Sequence, residues 1–220
     1  VEEVLPPLDG RDLLVVAIPS EAIRNALSAA VSGDASVVMA SKGLSREGER
    51  VSELAVAAGV NPARLFTLSG PNLAREIATG KPAAAVLASQ AGRREEVLAA
   101  LTRPTFRIYL SEDPIGVEVA GALKNVLAIA VSGVRSLGYG ENAAAALLSR
   151  GVAEMARLAE ACGGRAESAF GLAGVGLLLA SRLGVELPIT AAVVAALEHE
   201  VSIERLAEGL LGRTPTEEWH

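Results

Sequence analysis

The chain has 220 residues, 20 basic against 26 acidic side chains for a formal charge of −6, and half of its residues are hydrophobic. That composition supports a sizeable core, excludes intrinsic disorder and, with no basic block, argues against nucleic acid as a partner. A single cysteine, Cys162, excludes a disulfide framework, and with only His199 and His220 as histidines no metal site is expected.

The first half alternates strand-like and helix-like segments. Leu13 to Ile18 is a short, apolar, β-branched run stopped by Pro19-Ser20, which reads as a strand buried on both faces. Glu21 to Val31 is helical, with Ile23, Ala26, Leu27 and Ala30 on one stripe. Val37 to Ala40 is a second buried strand ending in Ser41-Lys42-Gly43. Val51 to Ala58 is a helix ended by Gly59. Leu65 to Leu68 leads into Ser69-Gly70-Pro71, and Asn72 to Ala78 is a short helix that Asn72 can cap. Ala83 to Ala88, a helix over Arg93 to Leu101, and Phe106 to Leu110 complete the pattern, which predicts parallel strands with helices on their faces.

After Ser111-Glu112-Asp113-Pro114 no strand is predicted. Ile115 to Ser136 is a long helix, apolar nearly all round and therefore expected to be buried. Asn142 to Ala161 is a second helix, and Gly163-Gly164 interrupts. Pro188 opens a helix from Ile189 to His199, and Ser202 can cap another over Ile203 to Leu210. The expected fold class is α/β: a partial Rossmann-like parallel-sheet domain over residues 1–112, then an all-helical domain over 113–220. The longest unbroken apolar stretch, Phe170 to Ala180, falls short of the roughly 20 residues that span a bilayer. With no leader pattern at the start, a cytoplasmic protein without membrane insertion is expected.

Of the 20 basic residues only Lys42, Lys81 and Lys124 are lysines. A chain that otherwise uses arginine makes each lysine worth inspection, because a lysine can titrate and an arginine effectively cannot. Lys124 stands on the long helix among Val117, Ala120, Gly121, Leu127, Ala128 and Val131, whereas Glu118, Asn125 and Ser132 share a different line. A buried ammonium is costly unless paired or useful, and a desolvated lysine is a natural general acid or base; the alternative is a lysine that snorkels at a domain edge. Lys42 follows a buried strand, where open α/β sheets bind ligands, or is simply a loop lysine. Ser69-Gly70-Pro71-Asn72 either offers backbone N–H groups to an anion or carbonyl or is an ordinary turn. Lys81, before Pro82, reads as a loop residue. Gly138-Tyr139-Gly140-Glu141-Asn142-Ala143 matches the G-x-G-x-x-A dinucleotide pattern, but a helix precedes it where a strand is required, so it reads as an interhelical turn.

Taken in order, Ser41-Lys42-Gly43-Leu44, Leu68-Ser69-Gly70-Pro71-Asn72-Leu73-Ala74-Arg75-Glu76-Ile77-Ala78 and Ala122-Leu123-Lys124-Asn125-Val126-Leu127-Ala128 resemble NAD(P)-dependent glycerol-3-phosphate dehydrogenase. Gly140-Glu141-Asn142-Ala143 running on to Leu147-Leu148-Ser149-Arg150-Gly151 adds to the likeness, which extends from about Asp12 to the C-terminus. The resemblance implies an oxidoreductase that interconverts glycerol 3-phosphate and dihydroxyacetone phosphate with NAD or NADP and supplies glycerol 3-phosphate for phospholipid synthesis. It further implies a small phosphorylated substrate as partner and a homodimer. By the same resemblance Lys124 matches the proton-transferring lysine and a substrate contact, and Asn125 its neighbouring substrate contact. Lys42 matches a second lysine near substrate and nicotinamide, Gly70 and Asn72 match substrate contacts, and Pro19, Ser20 and Ala74 match positions beside the cofactor.

The departures are specific. The family begins with a strand, a glycine-rich loop and a helix, and none precedes Leu13 here. After Gly171-Leu172-Ala173-Gly174-Val175-Gly176 the family has an Asp and a Ser-Arg-Asn segment gripping the phosphate, whereas here Leu177 stands at the Asp position and no Arg follows. The polypeptide is therefore expected to be longer than the sequence given, at its front and at the Gly176-Leu177 join. The alternatives are a related β-hydroxyacid or ketopantoate-type reductase, and a shortened non-catalytic relative that acts as an assembly module.

Overall fold

Five strands form one sheet in chain order: β1 (Leu13–Val16), β2 (Ser36–Met39), β3 (Leu65–Ser69), β4 (Ala83–Ala88) and β5 (Phe106–Ser111). Among them lie α1 (Ser20–Ala30), α2 (Val51–Ala57), α3 (Ala74–Ala78) and α4 (Arg94–Leu101). Beyond the sheet come α5 (Pro114–Ser136), α6 (Gly140–Ala161) and α7 (Glu167–Gly171). The computed structural model describes residues 8, 10, 12–30, 35–70 and 72–171; the helices expected over 189–199 and 203–210, most of the apolar run to Ala180, and the Gly176-Leu177 join lie outside them. The expected Rossmann-like sheet followed by helices is what forms.

Strand β2 is buried along its whole length, and its alternating side chains feed two cores. Val37 and Met39 pack with Ile23, Leu27, Val51 and Leu54 under α1 and α2. Val38 turns the other way, toward Phe66, Leu87, Val97 and Ile108 under α4. Each such side chain contributes roughly 1.5–3 kcal/mol relative to exposure, which makes β2 the natural spine of the sheet.

Three sequence expectations about the sheet and its connections are corrected. Strand β1 is not buried on both faces: Val15 is 46% exposed, because β1 pairs only with β2 among the described strands and lies at the edge. The sheet is not uniformly parallel either. β1, β2 and β3 run parallel and β4 runs parallel to β5, but β3 and β4 are antiparallel, with Thr67 opposite Ala88 and Ser69 opposite Val86. A parallel crossover needs a helix long enough to recross the sheet; the five residues of α3 rise only about 7.5 Å, so β4 returns alongside β3 instead. Finally, Asn72 does not cap a helix, since α3 begins at Ala74 with Leu73 in the cap position.

The first turn of α5 is set by Asp113, a buried carboxylate that accepts from Gly116 N at 2.9 Å, Arg165 N at 2.8 Å and Ser168 Oγ at 2.6 Å. One side chain thus caps α5 and fastens the α6–α7 turn to it. Val119, Leu123 and Leu127 pack with Met155 and Leu158. Gly151 lets α6 come this close, because a Cβ there would lie 2.3 Å from Leu127 Cδ1. The expectation of an all-round buried α5 holds for its first half only; Ile129 is 48% exposed. By length and composition α5 could cross a membrane, but here it packs on α6, α7, β3 and β4. Gly138-Tyr139-Gly140 is the interhelical turn the sequence suggested, with positive φ at both glycines.

Candidate active site

The carboxyl ends of β1, β2 and β3 lie on one edge of the sheet, because these strands run parallel. The loops after β1 and β2 are stitched together by Ser41. Its Oγ accepts from Ile18 N at 3.0 Å and donates to Ile18 O at 2.6 Å. Ser20 Oγ, at the start of α1, donates to Leu44 O at 2.9 Å. The β1 loop carrying Pro19 and Ser20 and the β2 loop carrying Lys42 are therefore one rigid ledge.

Gly70, at the end of β3, is the focus of this ledge. Lys42 Nζ donates to its carbonyl oxygen at 3.0 Å, Lys124 Nζ at 3.1 Å and Asn72 N at 2.8 Å. Two lysines 82 positions apart in the sequence thus reach one carbonyl, so their ammonium groups are separated by less than two hydrogen-bond lengths. Only glycine fits the position. Its φ is +155°, and a Cβ would lie 2.8 Å from Ala84 O and 2.9 Å from Ala85 Cα. The antiparallel return of β4 brings that backbone up against Gly70.

Both lysines titrate below the ordinary range. Burial lowers Lys42 first, and the nearby charge of Lys124 lowers it further; partial burial lowers Lys124. Lys42 is exposed as a residue and Lys124 half-buried, but both ammonium ends turn inward onto Gly70. Asn72 supplies a different signal: its Oδ1 is buried without a hydrogen-bond partner. A buried acceptor left without a donor is rare in folded proteins, and it suits a ligand hydroxyl or amide.

Of the residues singled out from the sequence, Lys42, Gly70, Asn72 and Lys124 meet at one point. Pro19 and Ser20 stand on the adjoining ledge, and Ala74 is exposed at the first turn of α3. Asn125 is also exposed, about 100° round α5 from Lys124, and does not share in the Gly70 focus. Lys81 is the surface loop lysine expected, ion-paired with Glu76 at 2.7 Å.

Sequence reasoning missed a buried cluster beside the ledge. Glu118 of α5 accepts from Arg50 Nη1 at 3.0 Å, Ser52 N at 2.6 Å and Ser52 Oγ at 2.6 Å. Burial pushes its carboxyl above the ordinary range, while the Arg50 guanidinium and the Ser52 donors pull it back. An acidic residue inside an otherwise apolar helix was the available signal. Gly121, one turn before Lys124, was also missed: a Cβ there would lie 2.6 Å from Ser69 Oγ, so it admits the end of β3 against α5.

Comparison with known proteins agrees with this geometry. Residues 2–94 match the family described as NAD-dependent glycerol-3-phosphate dehydrogenase N-terminus, and residues 113–184 match the corresponding C-terminus. A glycerol-3-phosphate dehydrogenase [NAD(P)+] of Corynebacterium glutamicum (strain R) is 35% identical over 260 residues, covering 94% of this chain and 78% of the relative. That span exceeds the 220 residues of this chain, so the relative holds sequence within the aligned region that this chain lacks. The enzyme of the same name from Rhodospirillum rubrum is 46% identical over 177 residues, or 78% of this chain and 50% of the relative. The crystal structure of glycerol-3-phosphate dehydrogenase from Coxiella burnetii superposes with a TM-score of 0.81 at 26% identity, covering 91% of this chain and 77% of that one. The chain belongs to the NAD(P)-dependent glycerol-3-phosphate dehydrogenase family.

Proposed function

We propose that this chain interconverts glycerol 3-phosphate and dihydroxyacetone phosphate, with Lys124 as the proton-transferring group and Lys42 as its electrostatic partner. The observation that carries the reading is the convergence of both ammonium groups on Gly70 O. A bound dinucleotide of the NAD or NADP type would supply, in its reduced form, the hydride to the ketone carbon and be left oxidised. Lys124 then gives its proton to the oxygen that becomes the alcohol, and is left as a neutral amine; in the oxidising direction the neutral amine takes the proton back. Partial burial makes the Lys124 ammonium a stronger acid than a solvated one. Lys42 keeps positive charge facing the developing alkoxide.

The ledge fits the reactive end of such a cofactor. Pro19, Ser20, Lys42 and Ala74 lie along the strand ends where open α/β sheets bind dinucleotides. Asn72, with its unpartnered Oδ1, suits a hydroxyl group of the substrate, whereas a substrate contact at Asn125 rests on the family resemblance alone. Residues 1–112 form the nucleotide-binding part and residues 113–220 the substrate and dimerisation part of a soluble, cytoplasmic homodimer that supplies glycerol 3-phosphate for phospholipid synthesis. By the family resemblance a phosphate-gripping segment belongs at the Gly176-Leu177 join.

The test is reduction of dihydroxyacetone phosphate by the purified protein, followed as loss of NADH absorbance, alongside an NADH fluorescence titration and intact mass. Turnover with a mass above 22.5 kDa is expected. A protein of 22.5 kDa that binds NADH but reduces nothing would favour the non-catalytic alternative.

A further inference from the structure

The loop that carries Lys42 is fastened to the helix that carries Lys124 by groups outside the lysine pair. Residues 41–50 fold back on themselves, with a bridge between Leu44 and Arg50 and a hydrogen bond from Ser45 N to Glu49 O at 2.9 Å. Leu44 packs on the cluster that contains Val119, Ala120 and Leu123 of α5. Arg50 then reaches Glu118 on the same helix, 3.0 Å away, while Glu53 accepts from Arg50 N at 2.7 Å and pairs with its guanidinium at 3.2 Å. Glu118 also takes the first-turn N–H of α2 at Ser52. A buried carboxylate with one charged and two neutral donors is held rigidly, because losing any of them leaves a charge unpaired in the interior.

Glu118 and Lys124 are six residues apart on one helix, about 9 Å along its axis. Fixing Arg50 to Glu118 therefore fixes Leu44, and with it Lys42 two residues earlier, relative to Lys124. We propose that Glu118, acting through Arg50 and Ser52, is a positioning residue that holds the Lys42 loop against α5 so that the two ammonium groups meet at Gly70 O. The proposal rests on the dehydrogenase reading for its catalytic consequence, but its geometry can be tested without substrate.

The chain offers a direct readout, since its only lysines are Lys42, Lys81 and Lys124. Competitive acetylation with acetic anhydride over a pH series, followed by peptide mass spectrometry, gives a labelling midpoint for each amine. Lys81, paired with Glu76 on the surface, is the internal reference. In Glu118→Gln the Lys42 midpoint should rise relative to Lys81 by half a unit or more, about a threefold drop in reactive amine at fixed pH; Ser52→Ala, which removes one donor, should give a smaller rise. A folded Glu118→Gln protein with lowered thermal stability but an unchanged Lys42 midpoint would overturn the proposal and leave Glu118 merely structural. If Glu118→Gln does not fold, Ser52→Ala decides by the same comparison. Wild-type protein that labels as expected but does not turn over dihydroxyacetone phosphate would sink the dehydrogenase reading and leave the clamp standing.

Discussion

Lys42 and Lys124 donate to the same acceptor, Gly70 O, at 3.0 and 3.1 Å. One comes from a β2 loop and the other from the middle of α5, so their meeting depends on the packing of the helical region against the sheet. Like charges this close are unfavourable unless one can shed its proton or an anion shares the space, and both outcomes belong to a site that handles a developing alkoxide.

Replacing Lys124 by Met keeps the length and removes the proton. In the complete enzyme the expected loss in kcat is about 10²–10⁴, the usual contribution of a positioned acid or base. Lys124→Arg is expected to fail almost as badly, because a guanidinium keeps its charge but does not give up a proton near neutral pH. Steady-state reduction of dihydroxyacetone phosphate reads both; wild-type kcat in either variant would remove Lys124 from proton transfer. Lys42→Met should raise KM and lower kcat together, and a Lys42 with only a structural role would change neither.

The lowered lysines also predict how stability depends on pH. In the window between their lowered folded values and the ordinary lysine value of 10.5, the unfolded chain holds more protons than the folded one. Stability therefore rises with pH through that window; below it the cost of two charged groups is fully present, and above 10.5 it is gone. The effect is small because both groups are partly solvated. In Lys124→Met the rise should shrink without vanishing, since burial of Lys42 remains after its charged neighbour is removed. Urea midpoints measured at a series of pH values give the slope, and a Lys124→Met slope equal to wild type would contradict the coupling.

Asp113 makes a stability prediction of its own. Asp113→Ala removes the cap of α5 and strands Gly116 N, Arg165 N and Ser168 Oγ, all donors to that one carboxylate. A lost cap costs about 1 kcal/mol, and the buried Gly116 N–H left unsatisfied adds about 1–3 kcal/mol. Asp113→Asn, which keeps an acceptor oxygen, should lose less. Denaturant unfolding ranks the two, and an Asp113→Ala protein as stable as wild type would show that the three donors find other partners.

Much of this could be read in the sequence, for physical reasons. Buried strands such as β2 announce themselves by continuous β-branched runs, and the helix around Lys124 by an apolar surround in which an ammonium is out of place. The β3–β4 reversal was hidden because alternating strand and helix patterns look alike whether or not the intervening helix is long enough to recross the sheet. Glu118 was visible only as a charge on a helix line. Its partners, Arg50 and Ser52, are more than sixty residues earlier, and no periodicity connects such groups. Asn72 was noticed for its neighbours, whereas its unpartnered oxygen is a property of three-dimensional packing alone.

The approach of β3 to α5 gives the last prediction. Gly121 faces Ser69, and a Cβ added at Gly121 would sit 2.6 Å from Ser69 Oγ but 3.4 Å from Ser69 Cβ. Gly121→Ala therefore collides with the hydroxyl and not with the rest of the side chain. Because Ser69 is followed directly by Gly70, and Lys124 is one helical turn after Gly121, pushing β3 away should separate Gly70 O from Lys124 Nζ. The expected result is a destabilised protein, by about 1–3 kcal/mol as for other overpacked interiors, with reduced turnover. Ser69→Ala removes the colliding atom, so the double variant Gly121→Ala/Ser69→Ala should recover both stability and activity relative to Gly121→Ala alone. A double-mutant cycle measures this coupling. If the two changes simply add, the contact between Gly121 and Ser69 does not set the distance between helix and strand, and the placement of Lys124 must depend on other packing.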